Sequence, residues 1–184
     1  NNVSEILRYG LLKAEHDHSV TSQNAADVCY AKIIQVRRVG NGDRACLDFC
    51  SLLDETEGVF VGSSSQAMFL VLSEAAKNDY VPSRAFRCNA GPVHSYVLCA
   101  DGKTKYLSEL EAGDELLVIK ADGERQTTRK AVLGRVKIEN RPLVLVQAEI
   151  EPHGPKCNIL LQNAETVRIA YLSGDALTGR SIVE

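Results

Sequence analysis

The run Gly58-Val-Phe-Val-Gly62, Ser63-Ser64-Ser65, Gln66-Ala-Met-Phe-Leu-Val-Leu-Ser-Glu-Ala-Ala-Lys77 sets the fold class. Its opening is a short apolar strand ended by glycine. From Gln66 onward, Met68, Phe69, Leu72, Ala75 and Ala76 fall on one stripe of a helix. Ser63 with Gln66 three residues later has capping-box spacing. A strand, a Gly-Ser loop and a helix in that order present backbone N–H groups and a helix dipole to a phosphate or carboxylate. Serines that only cap the helix account for the same letters. The loop matches neither the Walker pattern nor G-x-G-x-x-G.

Upstream, Val3, Ile6, Leu7 and Leu11 also have helical spacing, which predicts a helix from Val3 to about Lys13. His16 and His18 flank Asp17 at a spacing that would point them to different faces of a helix, so they read as solvated residues rather than ligands. Cys29 to Val39 reads as a strand, Gly40-Asn41-Gly42-Asp43 as a turn and Arg44 to Cys50 as the returning strand of a hairpin. Asp48 shares a face with Cys46 and Cys50. A carboxylate in that setting is expected to bind backbone or an arginine, with a pocket role open.

Downstream, Ser83-Arg-Ala-Phe-Arg-Cys-Asn-Ala-Gly-Pro-Val-His-Ser-Tyr96 gathers two guanidiniums, a carboxamide, an imidazole and a phenol around one Ala-Gly-Pro turn. In an extended backbone Arg87 and Asn89 share a face, as do His94 and Tyr96. A sharp reversal at Gly91-Pro92 would bring the two faces together as a compact polar site. The same residues also fit a hairpin with solvated arginines and a satisfied histidine and tyrosine.

Beyond Tyr96 the chain breaks into short candidate strands separated by turns such as Ala100-Asp101-Gly102, Ala112-Gly113-Asp114, Asn140-Arg141-Pro142 and Pro152-His153-Gly154-Pro155. Ser108 to Glu111 reads as one helical turn, and the tail after Ser173 is expected to fray. The expected fold class is therefore α+β. A short α/β segment over residues 1–82 precedes a β-rich domain of short antiparallel strands over 83–184, a barrel or a sandwich.

The chain has 184 residues, a net charge of -3 and scattered basic residues, which argues against a nucleic-acid partner. No signal peptide and no apolar run of membrane-spanning length is seen, so no membrane association is expected. The six cysteines sit mostly in apolar, strand-like runs without C-x-x-C spacing, which reads as free thiols in a reducing compartment and no metal site.

Five blocks in order carry a resemblance: Gly58-Val-Phe-Val-Gly-Ser-Ser-Ser65, Ser83 to Tyr96, Gly102-Lys-Thr-Lys-Tyr-Leu-Ser-Glu-Leu-Glu-Ala-Gly-Asp-Glu115, Gly134-Arg-Val-Lys-Ile-Glu139 and Leu160-Leu-Gln-Asn-Ala-Glu-Thr-Val167. From about Tyr30 to Arg168 the chain resembles the archaeal-type 3-dehydroquinate synthases, also called 3-dehydroquinate synthase II. The resemblance implies an NAD-dependent reaction that oxidatively deaminates an amino-dideoxy-heptulosonate and closes the ring to 3-dehydroquinate, towards the aromatic amino acids. Family members begin with a further α/β region, so a truncated member is expected. The alternative is an inactive fragment or degenerate homologue that keeps an anion or sugar-acid site.

Within those blocks the residue chemistry suggests roles. Arg84 or Arg87 would clamp the substrate carboxylate, with Lys103, Lys105 and Lys137 available to neutralise charge. His94 would be the general acid or base, and Tyr96 or Asn89 would hydrogen-bond an oxyanion. Ser63, Ser64 and Ser65 would hold the diphosphate of NAD, with Asn163 and Glu165 as ribose or amide contacts. The expected partner is a small-molecule substrate, a homo-oligomer is left open, and the location is cytoplasmic, or plastid in a photosynthetic eukaryote.

Overall fold

The computed structural model describes residues 8–13, 28–77, 79, 81–122, 125–150, 154–173 and 176–182. The first six strands are β1 (Arg8–Lys13), β2 (Val28–Phe49), β3 (Glu57–Ser64), β4 (Ala67–Glu74), β5 (Arg84–Pro92) and β6 (Tyr96–Leu98). Six more follow as β7 (Thr104–Tyr106), β8 (Glu115–Asp122), β9 (Arg125–Ile150), β10 (Lys156–Gln162), β11 (Arg168–Ser173) and β12 (Ala176–Ser181). Among the described residues the helical content is a single 3-10 turn at Leu107–Glu109, within the stretch expected to make one helical turn. The α+β expectation is therefore wrong: the described chain is β throughout. No helix of the described residues is long and apolar enough to cross a membrane.

The helix expected over Gln66 to Lys77 is instead β4, and its burial explains the misreading. Phe69 and Val71 pack in one apolar cluster with Val59 and Val61, while Met68, Leu70 and Leu72 pack in a second with Phe60 and Ile119. A strand covered on both faces carries an unbroken apolar run, and a helical stripe can always be picked out of such a run. The described part of the expected first helix is β1, which pairs with β2, β4 and β11. His16, Asp17 and His18 lie outside the described residues.

Six strands close on themselves. β3 pairs with β4, β4 with β5, β5 with β2, β2 with β9, β9 with β8, and β8 again with β3, all antiparallel. The result is a barrel whose staves send alternate side chains inward: Leu47, Val59, Phe69, Cys88, Val118 and Leu133 lie in one buried cluster. The expected boundary near residue 82 falls between β4 and β5, which are neighbouring staves. All six cysteines carry free thiols.

The hairpin expected around Gly40 is also absent, because β2 runs straight through it. Asn41, Gly42 and Asp43 pair with Pro142, Arg141 and Asn140, so two turn-like polar segments face each other inside one ladder. Gly40, at φ 108°, absorbs a register shift opposite Val144 and Leu143, and the strand continues instead of reversing. The tail expected to fray pairs with β11 as β12.

Gly91 of β5 lies against Leu160 and Leu161 of β10. Its φ is 90°, and a Cβ there would lie 2.5 Å from the Leu160 carbonyl oxygen. Gly102 has a comparable φ of 81° but open space around it. Gly91→Ala should therefore lower the unfolding free energy by about 2–4 kcal/mol, from strain plus overpacking, and Gly102→Ala by about 1–2 kcal/mol from strain alone. Chemical denaturation of both variants checks this; equal losses would mean that the β5–β10 contact yields freely.

Candidate functional site

Outward-facing side chains of β5, β2 and β9 build an ordered array on one flank of the barrel. On β2 the alternation Arg44, Cys46, Asp48 puts three side chains on this face. Asp48 stands opposite Arg87 of β5 and Arg135 of β9, Cys46 opposite Asn89 and Lys137, and Arg44 opposite Glu139. A register shift at the end of the β2–β9 ladder, where Asp48 pairs with Arg135 but Phe49 with Leu133, lets inward Leu133 and outward Arg135 coexist on β9.

Asp48 is the centre of the array. It accepts from Arg87 Nε at 2.7 Å and Arg87 Nη2 at 2.9 Å in a bidentate pair, and from Arg135 Nη2 at 2.5 Å and Nε at 2.9 Å. Burial alone would push this carboxyl up; the hydrogen bonds from Arg87 and Arg135 outweigh it and hold the carboxyl below its usual range. The Arg87 guanidinium is in turn held more firmly protonated by the same contact. The sequence-based expectation that Asp48 binds an arginine is met. Cys46, beside it, is an inert thiol: burial pushes it up to about 11.

Arg44 is buried, donates from Nη2 to Glu139 Oε2 at 2.9 Å, and touches the Cys46 thiol. Glu139 also draws Lys137 and Arg141 to 3.2 Å each. The first cause holding its carboxyl down is the hydrogen bond from Lys137. Asn89 donates to Gln162 Oε1 at 2.9 Å, tying β5 to the end of β10. Glu74, at the end of β4, accepts from Thr166 Oγ1 at 3.1 Å and lies 3.5 Å from Arg84 Nη1.

Apart from Cys46, Asp48 and Arg135, these side chains line a cleft of about 510 Å³, floored by β2, β5 and β9 and walled by residues 162–166. Five cations, Arg44, Arg84, Arg87, Lys137 and Arg141, face three carboxylates, Glu74, Glu139 and Glu165. In a chain of net charge -3 this is a local reversal of sign that favours an anionic ligand.

Residues 30–183 match the family described as 3-dehydroquinate synthase II C-terminal domain. A 3-dehydroquinate synthase of Methanococcus maripaludis is 54% identical over 145 residues, 79% of this chain and 39% of the relative. Proteins of the same name from Methanocaldococcus jannaschii and Methanococcus vannielii are 51% and 48% identical, over 80% and 89% of this chain and 40% and 45% of their own length. The chain belongs to the 3-dehydroquinate synthase II family. It spans about two fifths of the length of the curated relatives it matches. No solved structure matches it.

Of the family-block residues singled out in the sequence, Arg84, Arg87, Asn89 and Asn163 come together in the cleft, with Lys137 and Glu165. His94 is exposed in the turn between β5 and β6 and is not among the cleft walls, so the reversal at Gly91-Pro92 does not fold it onto Arg87. Tyr96 donates to Tyr106 across the β6–β7 pair at 2.5 Å, with ring centroids 4.4 Å apart. Lys103 pairs with Asp101 at 3.7 Å and Lys105 with Asp114 at 2.7 Å, both beside a second cavity of about 440 Å³.

Ser63, Ser64 and Ser65 lie at the tip of the β3–β4 hairpin, where Ser64 pairs with Ala67 and its Oγ accepts from the Gln66 N–H at 3.2 Å. Because β4 replaces the helix, no helix dipole stands behind these serines. Ser63 Oγ is buried without a partner, yet the three serines are not among the walls of the cleft that holds Asn163. Ser63 to Ser65 and Asn163 are thus not walls of the same cleft.

Sequence reasoning missed Arg44, Glu74, Glu139, Arg141 and Gln162 as cleft residues. The alternation Arg135-x-Lys137-x-Glu139 was a signal, but it gains meaning only once β9 is placed beside Arg44-x-Cys46-x-Asp48.

Removing one partner of a buried ion pair leaves the other uncompensated. Asp48→Ala should therefore cost about 3–5 kcal/mol of unfolding free energy, whereas Arg135→Ala, whose side chain is 63% exposed, should cost less than about 1 kcal/mol. Similar losses would mean that Arg87 finds another partner. The low carboxyl also fixes a sign: the pair's contribution is complete above the unfolded carboxyl range near pH 4 and disappears as pH falls through the folded-state value. Urea midpoints should drop on acidification below about pH 4 in the natural chain, and Asp48→Asn should flatten that limb.

Proposed function

We propose that this chain supplies the substrate-anion site of an archaeal-type 3-dehydroquinate synthase acting on 2-amino-3,7-dideoxy-D-threo-hept-6-ulosonate. The carrying observation is the cationic cleft, whose floor is locked by Asp48 and whose mouth offers Arg84, Lys137 and Arg141 at 37–44% side-chain exposure. Family membership and the name shared by the relatives support the reading. The reaction of the whole protein is taken as an oxidative deamination for which NAD would be the oxidant, leaving a ketone at the former amine-bearing carbon and releasing ammonia. Ring closure then joins the methyl-ketone carbon to the new carbonyl without loss of water. It belongs to a reducing cytoplasm or plastid, in keeping with free thiols.

This chain's own part is to bind and orient. Arg84 presents a guanidinium fork to the carboxylate, and Lys137 and Arg141 add positive field. Asn89, pinned through Nδ2 by Gln162, offers its Oδ1 to a donor of the ligand. His94, Tyr96, Lys103, Lys105 and Ser63 to Ser65 stand outside this cleft, so a role for them in the same reaction needs a surface shared with the rest of the full-length protein.

Titration calorimetry of the chain with 3-dehydroquinate and with the amino-heptulosonate tests the reading, followed by absorbance of reduced cofactor after NAD is added. Saturable binding weakened roughly 10–100-fold by Arg84→Ala is expected. Binding without reduced cofactor would identify the chain as the substrate-holding part alone, the alternative of a non-catalytic sugar-acid binder. No binding by the folded chain would overturn the assignment of the cleft.

A further inference from the structure

Three polar atoms in the cleft walls are buried without a hydrogen-bond partner: Arg44 Nε, Glu74 Oε2 and Asn89 Oδ1. Their residues are only 4%, 8% and 3% exposed, so none can be satisfied by turning outward. One of the three is a donor and two are acceptors. An oxyanion alone would answer Arg44 Nε and leave both acceptors unmet, each at the desolvation cost of an unpaired buried group. The complete ligand therefore carries donors as well as an anion.

The charge of Glu74 decides which donor. Its Oε1 is engaged by Thr166, and its Oε2 faces Arg84 Nη1 at 3.5 Å, an ion pair too long for a hydrogen bond. Arg84 is also one of the three part-exposed cations at the mouth of the cleft, and the one of them that pairs with Glu74. Once a ligand carboxylate shares the guanidinium, Glu74 is a buried anion beside a second anion with diminished compensation, an arrangement that proteins avoid. A hydroxyl on the ligand would fill the lone pair but leave the charge; an ammonium fills both. In an α-amino acid the two charges sit on neighbouring groups, matching the adjacency of Arg84 and Glu74.

We propose that Glu74, assisted by Asn89 Oδ1, receives the ammonium of an α-amino acid whose carboxylate lies on Arg84, and that Glu74 thereby sets the preference of the cleft for an amino ligand over its hydroxy counterpart. The assignment rests on the reading of the cleft as the substrate site and names the residue that reads the amine. It makes Glu74 a specificity residue, distinct from the cations that hold any carboxylate.

The test compares calorimetric affinities for the amino-heptulosonate and its 2-hydroxy analogue. The natural chain should bind the amino form at least roughly 10-fold more tightly, the margin of one charge-assisted hydrogen bond. Glu74→Gln keeps an oxygen for Thr166 and should bring the ratio of the two affinities close to one. Arg84→Ala should weaken both ligands without lowering the ratio. Glu74→Asp retains the carboxylate and should keep the amino preference, which preserves the test should Glu74→Gln fail to fold by circular dichroism. An unchanged ratio in Glu74→Gln, or a lost preference in Glu74→Asp with binding intact, overturns the assignment of Glu74 alone. Absence of binding of either ligand to the natural chain overturns the cleft as substrate site, and this assignment with it.

Discussion

The pairing of β2 with β9 is the constraint from which the rest follows. From Ala31 opposite Ile150 to Phe49 opposite Leu133, one antiparallel ladder holds together residues about a hundred positions apart in the chain. Each strand changes its second partner along its length. β2 meets β1 through Val28 to Lys32 and β5 through Arg44 to Asp48, while β9 meets β8 through Arg125 to Val132 and β10 through Leu143 to Glu149. One ladder thereby belongs both to the barrel and to the sheet that extends from it. Its register sets which side chains of β2 face the barrel core and which face the cleft.

That alternation explains how an apolar interior and a charged exterior share one strand. Ala45 and Leu47 are fully buried in the core, and the intervening positions are Arg44, Cys46 and Asp48. The polar face is buried too, with Arg44, Cys46 and Asp48 at 4%, 0% and 5% exposure. A lone carboxylate could not be accommodated there. Asp48 is tolerated because two guanidiniums reach it, and a one-residue slip of β2 would turn both the arginine network inward and the leucine outward. The ion network thus opposes misregister as well as filling the face.

Much of this was legible in the sequence, and the failures have physical causes. The strand periods of β3, β5 and the segments after Tyr96 were visible, as was the shared face of Arg87 and Asn89. The helix at Gln66 to Lys77 was misread because Met68 to Leu72 is buried on both sides, and period carries no information in an unbroken apolar run. The turns at Gly40 to Asp43 and Asn140 to Pro142 were misread because each was judged alone. Glycine and asparagine there sit beside a register shift inside one ladder, and pairing over such a separation leaves no local mark. For the same reason Arg44, Glu74, Glu139 and Gln162, which come from four different strands, could not be grouped before the register was known.

The two arginines that the sequence offered as interchangeable carboxylate clamps are separated by their surroundings. Arg87 has a side chain only 10% exposed, and both of its paired nitrogens are committed to Asp48. Redirecting it to a ligand would leave the buried Asp48 carboxylate with the exposed Arg135 alone and break a buried bidentate pair. Arg84 is 37% exposed and its contact with Glu74 is long, so it can turn to a ligand at little cost. Arg87 is therefore a scaffold cation that fixes the floor and its field, while Arg84 is free to recognise. The division is the common arrangement in which a rigid, fully paired network positions a few under-committed groups, and here it follows from which guanidinium the β2 register places opposite a carboxylate.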